Sequence, residues 1–296
     1  MIYILYLDAP CLGHIANIFY NTIKKTHECQ IMSTRLDDDK IKDGDILFII
    51  CHFPYYLQRA HNIRIFIINI DPAKVFNHLQ PFYSIAAGSI NTTYILDYQS
   101  ENIKYFNKVN QNEKLKIQYL PPTKNTFFVD LFNENKQNIM EKDIDILFYG
   151  SLSPRRMEIF EKLKKYKFLH YGYGPFSELV PLIQRSKIVL NVYNYENNKP
   201  FEYYRISFLL SNNIFFITET PSDIDFGIES KLVDYDKHIV HAEYNKLVDL
   251  IHEYLNKSEN ERDNLAINAG KWYESIYNYE ESLNLMINDL IFNNIK

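Results

Sequence analysis

The sequence predicts an α/β protein: two domains of parallel sheet covered by helices, followed by a helical tail. Three observations carry this. Apolar runs of strand length recur through both halves with helical pieces between them, the pattern of strands buried on both faces. The alternation stops at Leu120–Asn125, LPPTKN, a stiff connector that cannot be helical. It restarts at Ile144.

In the first half Ile2–Leu7 is a continuous apolar strand, Cys11–His14 a loop, and Ile15–Lys25 a helix, with Ile15, Ile18, Phe19 and Ile23 on one face. Cys29–Ser33 is a short strand and Leu36–Gly44 a charged loop. Asp45–Cys51 and Arg64–Ile70 are buried strands on either side of a short helical piece, Tyr55–Ala60. Asn91–Leu96 and Lys116–Tyr119 are strands around a helix near Ser100–Val109.

In the second half Ile144–Tyr149 is a strand, and Ser153 caps a helix that has Pro154 at its first position and runs to about Lys165. Phe168–Tyr171 is a strand, Ser177–Arg185 a helix and Ile188–Val192 a strand. KPFEYYRISFLLSNNIFFITE, Lys199–Glu219, reads as a helix carrying Glu202 and Arg205, a polar turn at Ser211–Asn213, and a buried strand Ile214–Thr218. A helix feeding an apolar strand is half of a parallel βαβ unit. The tail, Tyr244–Lys257 and Glu261–Asn293, is helical. The expected division is a first domain over 1–125, a polar linker over 126–143, a second domain over 144–270, and a C-terminal helix over 271–296 that packs back on the first domain.

A chain of 296 residues is long for one sheet-and-helix domain and comfortable for two. With 46% hydrophobic and 23% charged residues the composition is globular. The net charge of −5 gives no general pull toward nucleic acid or anionic membrane. An anionic ligand is therefore held by a local cluster of basic groups and helix N-termini. Cys11, Cys29 and Cys51 are odd in number and lack metal-ligand spacing, which suits a reducing compartment. MIYILYLDAP lacks the features of a signal peptide, and Ile46–Cys51 and Ile65–Ile68 are too short to span a bilayer. The expectation is a cytoplasmic protein without a membrane span.

Familiar signatures are absent. There is no G-x-x-x-x-G-K-[ST] and no G-x-S-x-G, and Gly172-x-Gly174 does not continue as a dinucleotide fingerprint. His238 and His241 lack a third zinc ligand nearby. Asp-x-Asp occurs at Asp37–Asp39, Asp143–Asp145 and Asp223–Asp225, where a carboxylate pair could chelate a divalent ion on a diphosphate. The first lies in a solvated charged loop and the second precedes a strand. Only the third is near the candidate site, and a solvated turn explains it as well.

The positive signal is a constellation at consecutive strand ends. Ser151, Arg155 and Arg156 follow the first strand of the second domain, where a helix N-terminus and fork-shaped donors suit an anion. Ordinary capping with two solvated arginines explains them too. Tyr171 and Gly172 follow the next strand, Asn191 and Tyr193 end the next, and Glu202, Arg205 and Glu219 complete the rim. Glu202 and Arg205, three apart, share a helix face and equally make a surface ion pair. Open α/β sheets bind ligands at this edge.

FYGSLSPRR, a strand–helix unit, then SKIVLNVY, FEYYR, LL and FFITE resemble the donor-binding domain of glycosyltransferases of the B architecture. The nearest branch is that of the spore-maturation glycosyltransferases, where a Glu-x-x-Arg helix precedes a strand ending in Glu. The resemblance covers Ile144–Glu219 well, and the first domain only through its strand–helix pattern and YLPPTKN. It implies two Rossmann-like domains facing a central cleft, the second holding a nucleotide-sugar, the first presenting a glycan or protein acceptor, with no metal required. It implies that Ser151, Arg155 and Arg156 face the diphosphate, that Tyr171 and Gly172 face the base, and that Glu202 and Arg205 lie near the sugar or phosphates. Asn191, Tyr193 and Glu219 complete the donor-binding set, and Glu202 is expected to serve turnover. Two departures stand out. Ser207-Phe208-Leu209 occupies the turn where many relatives carry a ribose-gripping glutamate, and Asn212–Asn213 replaces the usual Gly.

The activity implied is metal-independent transfer of a sugar from a UDP-linked donor to a hydroxyl. A nucleotide-sugar epimerase on the same fold and a non-catalytic carbohydrate- or nucleotide-sugar-binding protein are the alternatives. An inverting reaction needs a base, expected at a strand end of the first domain: Asp8, His14, His52 or Asp71. His14 is favoured, because its ordinary pKa near ~6.5 suits proton transfer and a helix N-terminus keeps it neutral. Asp71, before Pro72, is second and equally an N-cap.

Overall fold

The computed structural model describes residues 1–6, 10–33, 36–50, 57, 59–69, 79–120, 126–138, 141–172, 174–196, 199, 202–221, 234–276 and 287–289. The chain divides into two compact units, Met1–Pro122 with Tyr279–Lys296, and Thr123–Asn278.

Unit 1 is a six-stranded parallel sheet: β1 (Ile2–Leu5), β2 (Cys29–Met32), β3 (Ile46–Ile50), β4 (Arg64–Ile68), β5 (Thr93–Asp97) and β6 (Leu115–Tyr119), in the order β2-β1-β3-β4-β5-β6. Its helices are α1 (Pro10–Ile23), α2 (Leu79–Ala86) and α3 (Ser100–Val109). All five residues of β3 are buried, and four of five in β4. Phe48, Phe66 and Tyr94 stand opposite one another across β3, β4 and β5, with ring centroids 4.9 and 5.6 Å apart. Such cross-strand aromatic pairs pin register.

The loop expected at Cys11–His14 is the first turn of α1. Pro10 sits at the helix start, where its fixed φ suits the helix and its missing N–H costs nothing. Leu12, Ile15, Ala16, Phe19 and Ile23 form one buried stripe, so the helical spacing begins a turn earlier than Ile15. The helical piece expected at Tyr55–Ala60 lies largely outside the described residues; Leu57, Arg59 and Ala60 are not helical.

Unit 2 is a five-stranded parallel sheet: β7 (Ile144–Tyr149), β8 (Phe168–Tyr171), β9 (Ser186–Asn191), β10 (Phe216–Glu219) and β11 (His241–Ala242), in the order β11-β10-β9-β7-β8. Its helices are α4 (Thr126–Asn135), α5 (Pro154–Leu163), α6 (Phe176–Gln184), α7 (Tyr203–Ser211), α8 (Tyr235–His238), α9 (Leu247–Leu255) and α10 (Glu259–Ile276). Ile146, Phe148, Ile188, Leu190 and Ile217 form the sheet's share of the core, against Ile159 and Leu163 of α5 and Leu247 and Ile251 of α9. The stretch expected as a polar linker, 126–143, holds α4. Phe128 of that helix is buried edge-on against Phe208, 5.7 Å between centroids, and Phe132 lies 6.2 Å from the same ring. Phe128 and Phe132, one helical turn apart, form an apolar stripe that is cut short by the polar run from Asn133 onward.

The chain leaves β7 for β8 on one side and returns through β9 on the other. Strand order therefore reverses between β7 and β9, and in open parallel sheets the carboxyl ends at such a switch point are the ligand position.

Candidate functional site

Four strand ends build the site. At the end of β7 the chain turns at Gly150, whose φ of +125° is a conformation that favours glycine. A Cβ there would lie 2.9 Å from Arg205 Nη2. His170 of β8 holds the Gly150 carbonyl through Nε2 at 2.9 Å. Ser153 then caps α5 as expected, accepting from the Arg156 amide at 3.3 Å, with Pro154 at the first helical position.

The two arginines of SPRR part company. Arg156 is 3% exposed. Its Nε donates to the Val192 carbonyl at 2.8 Å, and its Nη1 to the carbonyl and hydroxyl oxygens of Ser151 at 2.9 and 3.1 Å. It thereby ties the β7 and β9 loops together. Arg155 reaches the other way. Its Nη1 donates to the Tyr193 carbonyl and to Glu219 Oε2, and its Nη2 to Glu219 Oε1, at 2.8, 2.7 and 2.5 Å. The guanidinium lies 3.9 Å from the centroid of the Tyr244 ring.

Glu219 ends β10 with no solvent exposure. Besides the Arg155 fork it accepts from the Tyr193 amide at 3.2 Å, and Lys199 Nζ lies 3.6 Å away. Lys199 also reaches Glu243 at 3.4 Å. A buried carboxylate persists only when paired and hydrogen-bonded, and here both oxygens are. Burial, followed by the hydrogen bond to Glu158, pushes the Tyr244 phenol up to about 12.

Glu202 sits at the N-cap position of α7, one residue before the helix in which the sequence suggested it. Its carboxylate is 3.3 Å from Arg205 Nε and 3.8 Å from Arg156 Nη2. Arg205 Nη1 donates to Asn191 Oδ1 at 2.9 Å, and Asn191 in turn donates to Thr218 at 3.0 Å. The Arg205 guanidinium lies over Tyr149, 4.8 Å from its centroid, and burial drives that phenol's pKa well above its ordinary value. Among the described residues Arg205 Nη2 has no hydrogen-bond acceptor, and it borders the Gly150 turn. Arg155, Arg156, Arg205 and Lys199 face two carboxylates, Glu202 and Glu219, within one cluster. Exposed Glu243 joins them at the rim through Lys199.

At β8, Tyr171 donates to Glu178 at 2.9 Å, and a Cβ on Gly174 would collide with its hydroxyl. Burial and the Glu178 carboxylate raise the Tyr171 pKa to about 12. Gly172 is exposed, and a Cβ there would meet open space. The structure thus gathers Ser151, Arg155, Arg156, Asn191, Tyr193, Glu202, Arg205 and Glu219 into one network of hydrogen bonds and ion pairs. Tyr171 and Gly172 stand beside it at the next strand end.

In unit 1, His14 belongs to α1, and burial pushes its imidazole down to about 4, so it is neutral at ordinary pH. Asp8, His52 and Asp71 lie outside the described residues. A polar cluster unforeseen in the sequence closes the end of β5. Buried Asp97 accepts from Asn69 (2.6 Å), Asn102 (2.9 Å) and the Gln99 amide (2.7 Å). Gln99 and Asn102 lie two and five residues beyond Asp97 on the same segment, while Asn69 comes from the end of β4, 28 residues away.

The other candidate metal motifs find protein partners. Asp143 is held by Arg185 and Asp145 by Lys187, while His241 lies between Thr220 and Asp236. Among the described residues no group of three acid, histidine or cysteine side chains is placed to hold a metal ion. Asp223–Asp225 lies outside them. No helix of the described residues is long and apolar enough to cross a membrane.

No family model matches the chain. An uncharacterized protein, R358, of Acanthamoeba polyphaga mimivirus is 24% identical over 233 residues, covering 76% of this chain and 72% of that one. Among solved structures, a sucrose-phosphate synthase from Thermosynechococcus elongatus superposes with a TM-score of 0.60 at 9% identity, covering 99% of this chain and 98% of its own. The DNA-modifying β-glucosyltransferase, solved with and without uridine diphosphoglucose, gives 0.61 at 11% identity, covering 98% and 99%. Phage T4 BGT in complex with UDP and Mn2+ gives 0.59 at 11% identity over the same shares. This chain has the fold of the glycosyltransferases of the B architecture, with parallel α/β sheets and a helical C-terminal region.

Proposed function

We propose that this protein is a glycosyltransferase that moves a sugar from a UDP-linked donor to a hydroxyl of a glycan or protein acceptor, without a metal cofactor. The observation that carries the reading is the cluster at the β7/β9 switch point. Three arginines and Lys199 gather with Glu202, Glu219 and the rim residue Glu243 beside the N-terminus of α5, and Arg205 keeps Nη2 without an acceptor among the described residues, which suits a diphosphate ester. Phage T4 BGT, a structural neighbour over nearly the whole chain, has been solved with UDP-glucose, which supports a uridine diphosphate donor. The Glu202-x-x-Arg205 helix ahead of a strand ending in Glu219 supports placing the chain beside the spore-maturation branch.

In the proposed reaction the bond from the sugar's anomeric carbon to the diphosphate oxygen breaks, and a bond from that carbon to the acceptor oxygen forms. The nucleoside diphosphate leaves with the electron pair, and the acceptor proton passes to a base. Donors fixed before the reaction stabilise the charge that grows on the leaving oxygen, at no reorganisation cost. Arg205 fills this role, with the Arg155 backbone amide in the first turn of α5 beside it, and Glu202 orients Arg205. In an inverting reaction neutral His14 is the base, with Asp71 the other candidate.

The test is incubation with UDP-sugars and separate glycan, protein and DNA acceptors, following UDP release and product mass with and without EDTA. Transfer to a glycan or protein that survives EDTA is expected. Transfer to DNA would replace the acceptor, loss with EDTA would overturn metal independence, and recovery of an epimerised donor would replace the reaction.

A further inference from the structure

Arg155 and Glu219 satisfy each other. Both Glu219 oxygens take the Arg155 fork, the Tyr193 carbonyl takes a further N–H, and the Tyr244 ring covers the guanidinium face at 3.9 Å. The Tyr244 hydroxyl then donates back to the Arg155 carbonyl at 2.6 Å and to Glu158 at 3.1 Å. One side chain thus joins the first turn of α5, the end of β9, the end of β10, and the segment after β11. Cation–π contact with a tyrosine face adds to such a clamp because the guanidinium is weakly hydrated. Arg205, by contrast, keeps Nη2 without an acceptor among the described residues.

We infer that Tyr244 is a positioning residue that acts through Arg155, and that the Arg155–Glu219–Tyr244 clamp holds the strand-end loops in place while Arg205 meets the ligand. The inference rests on the donor-site reading above. It separates the clustered arginines into a scaffold and a contact.

The experiment measures UDP affinity by calorimetry in wild type, Tyr244→Leu, Tyr244→Phe, Arg155→Lys, and the double variant Arg155→Lys/Tyr244→Leu. The leucine variant is expected to bind UDP about ten-fold more weakly, on the scale of a desolvated cation–π contact. The phenylalanine variant, which keeps the ring face, recovers most of that loss. In the double variant the leucine adds little, because Arg155 has already lost its fork. Wild-type affinity in Tyr244→Leu, or full additivity in the double variant, overturns the inference.

If wild type binds neither UDP nor a UDP-sugar, the donor-site reading fails. The clamp is then judged on the same proteins by amide hydrogen exchange over 193–196. Faster exchange in the single variants that does not add in the double variant upholds it, and unchanged exchange overturns it.

Discussion

Arg205 packs against the one face of Gly150 that any other residue would fill. Its Nη2 lies 2.9 Å from the position of the missing Cβ, while Asn191 and Glu202 hold the rest of the guanidinium. Gly150→Ala forces the arginine out and strains a backbone at φ +125°. Strain of this kind costs about 1–3 kcal/mol. The variant should unfold at lower urea and lose UDP affinity. Unchanged binding by calorimetry would show that Arg205 is not where the ligand sits.

Glu219 has no solvent exposure, and Arg155 binds both of its oxygens, with the Tyr193 amide on one of them. Removing one partner of a buried pair leaves an uncompensated group and costs about 3–5 kcal/mol. Glu219→Ala should therefore lower the urea midpoint far more than Glu178→Ala at the exposed rim. Equal, small effects in equilibrium unfolding would rule out the buried pairing.

The helix that carries Arg205 is fixed from behind. Ser207 Oγ and Tyr273 Oη are 2.6 Å apart and buried, joining α7 to α10. A hydrogen bond of this kind contributes about 0.5–1.5 kcal/mol, so Ser207→Ala should destabilise by that amount. A variant as stable as wild type in denaturant titration would mean the contact contributes nothing.

How much of this was legible in the sequence follows from what each feature depends on. Strands β3, β4, β7 and β9 stand out because most of their residues are buried on both faces, so Ile46–Ile50, Ile65–Ile68, Ile146–Phe148 and Ile188–Leu190 read as apolar runs. The Ser153 cap and Pro154 are local signals and were correctly legible. Helix α4 was hidden because its apolar part, Phe127–Val129 and Leu131–Phe132, is short and runs straight into the polar stretch from Asn133 to Asp143. β11 is two residues long and leaves no run to detect.

At the site, the residue types were legible because strand ends can be counted, but the pairing of Arg155 with Glu219 was not, since 64 residues separate them. The turn Ser207-Phe208-Leu209 also gains its meaning only in the fold. All three side chains are buried, with Phe208 packed on Phe128, Phe132 and Phe176, so this turn offers no carboxylate to a ribose.

His14 titrates at about 4 because burial disfavours its charged form. Its folded pKa is below its unfolded value near ~6.5, so the unfolded chain binds the extra proton between these limits. The stability contributed by neutral His14 is complete above about pH 6.5 and is lost as the pH falls toward 4. His14→Gln should flatten that decline in urea titrations at several pH values. If His14 is also the base, the acid limb of the rate profile lies near pH 4, and a limb near 6.5 would assign it to another group.

The central claim is that the β7/β9 switch point binds a nucleoside diphosphate through Arg205. A ligand that binds only the folded state stabilises it by RT ln(1 + [L]/Kd), about 2.7 kcal/mol at a hundred times Kd. The most direct measurement is the thermal midpoint of wild type and Arg205→Ala across a UDP titration. The account predicts that the wild-type midpoint climbs with the logarithm of UDP concentration, and that the variant, folded on its own, shows little climb over the same range. A wild-type midpoint that ignores UDP and UDP-sugars, or an equal climb in Arg205→Ala, would contradict it.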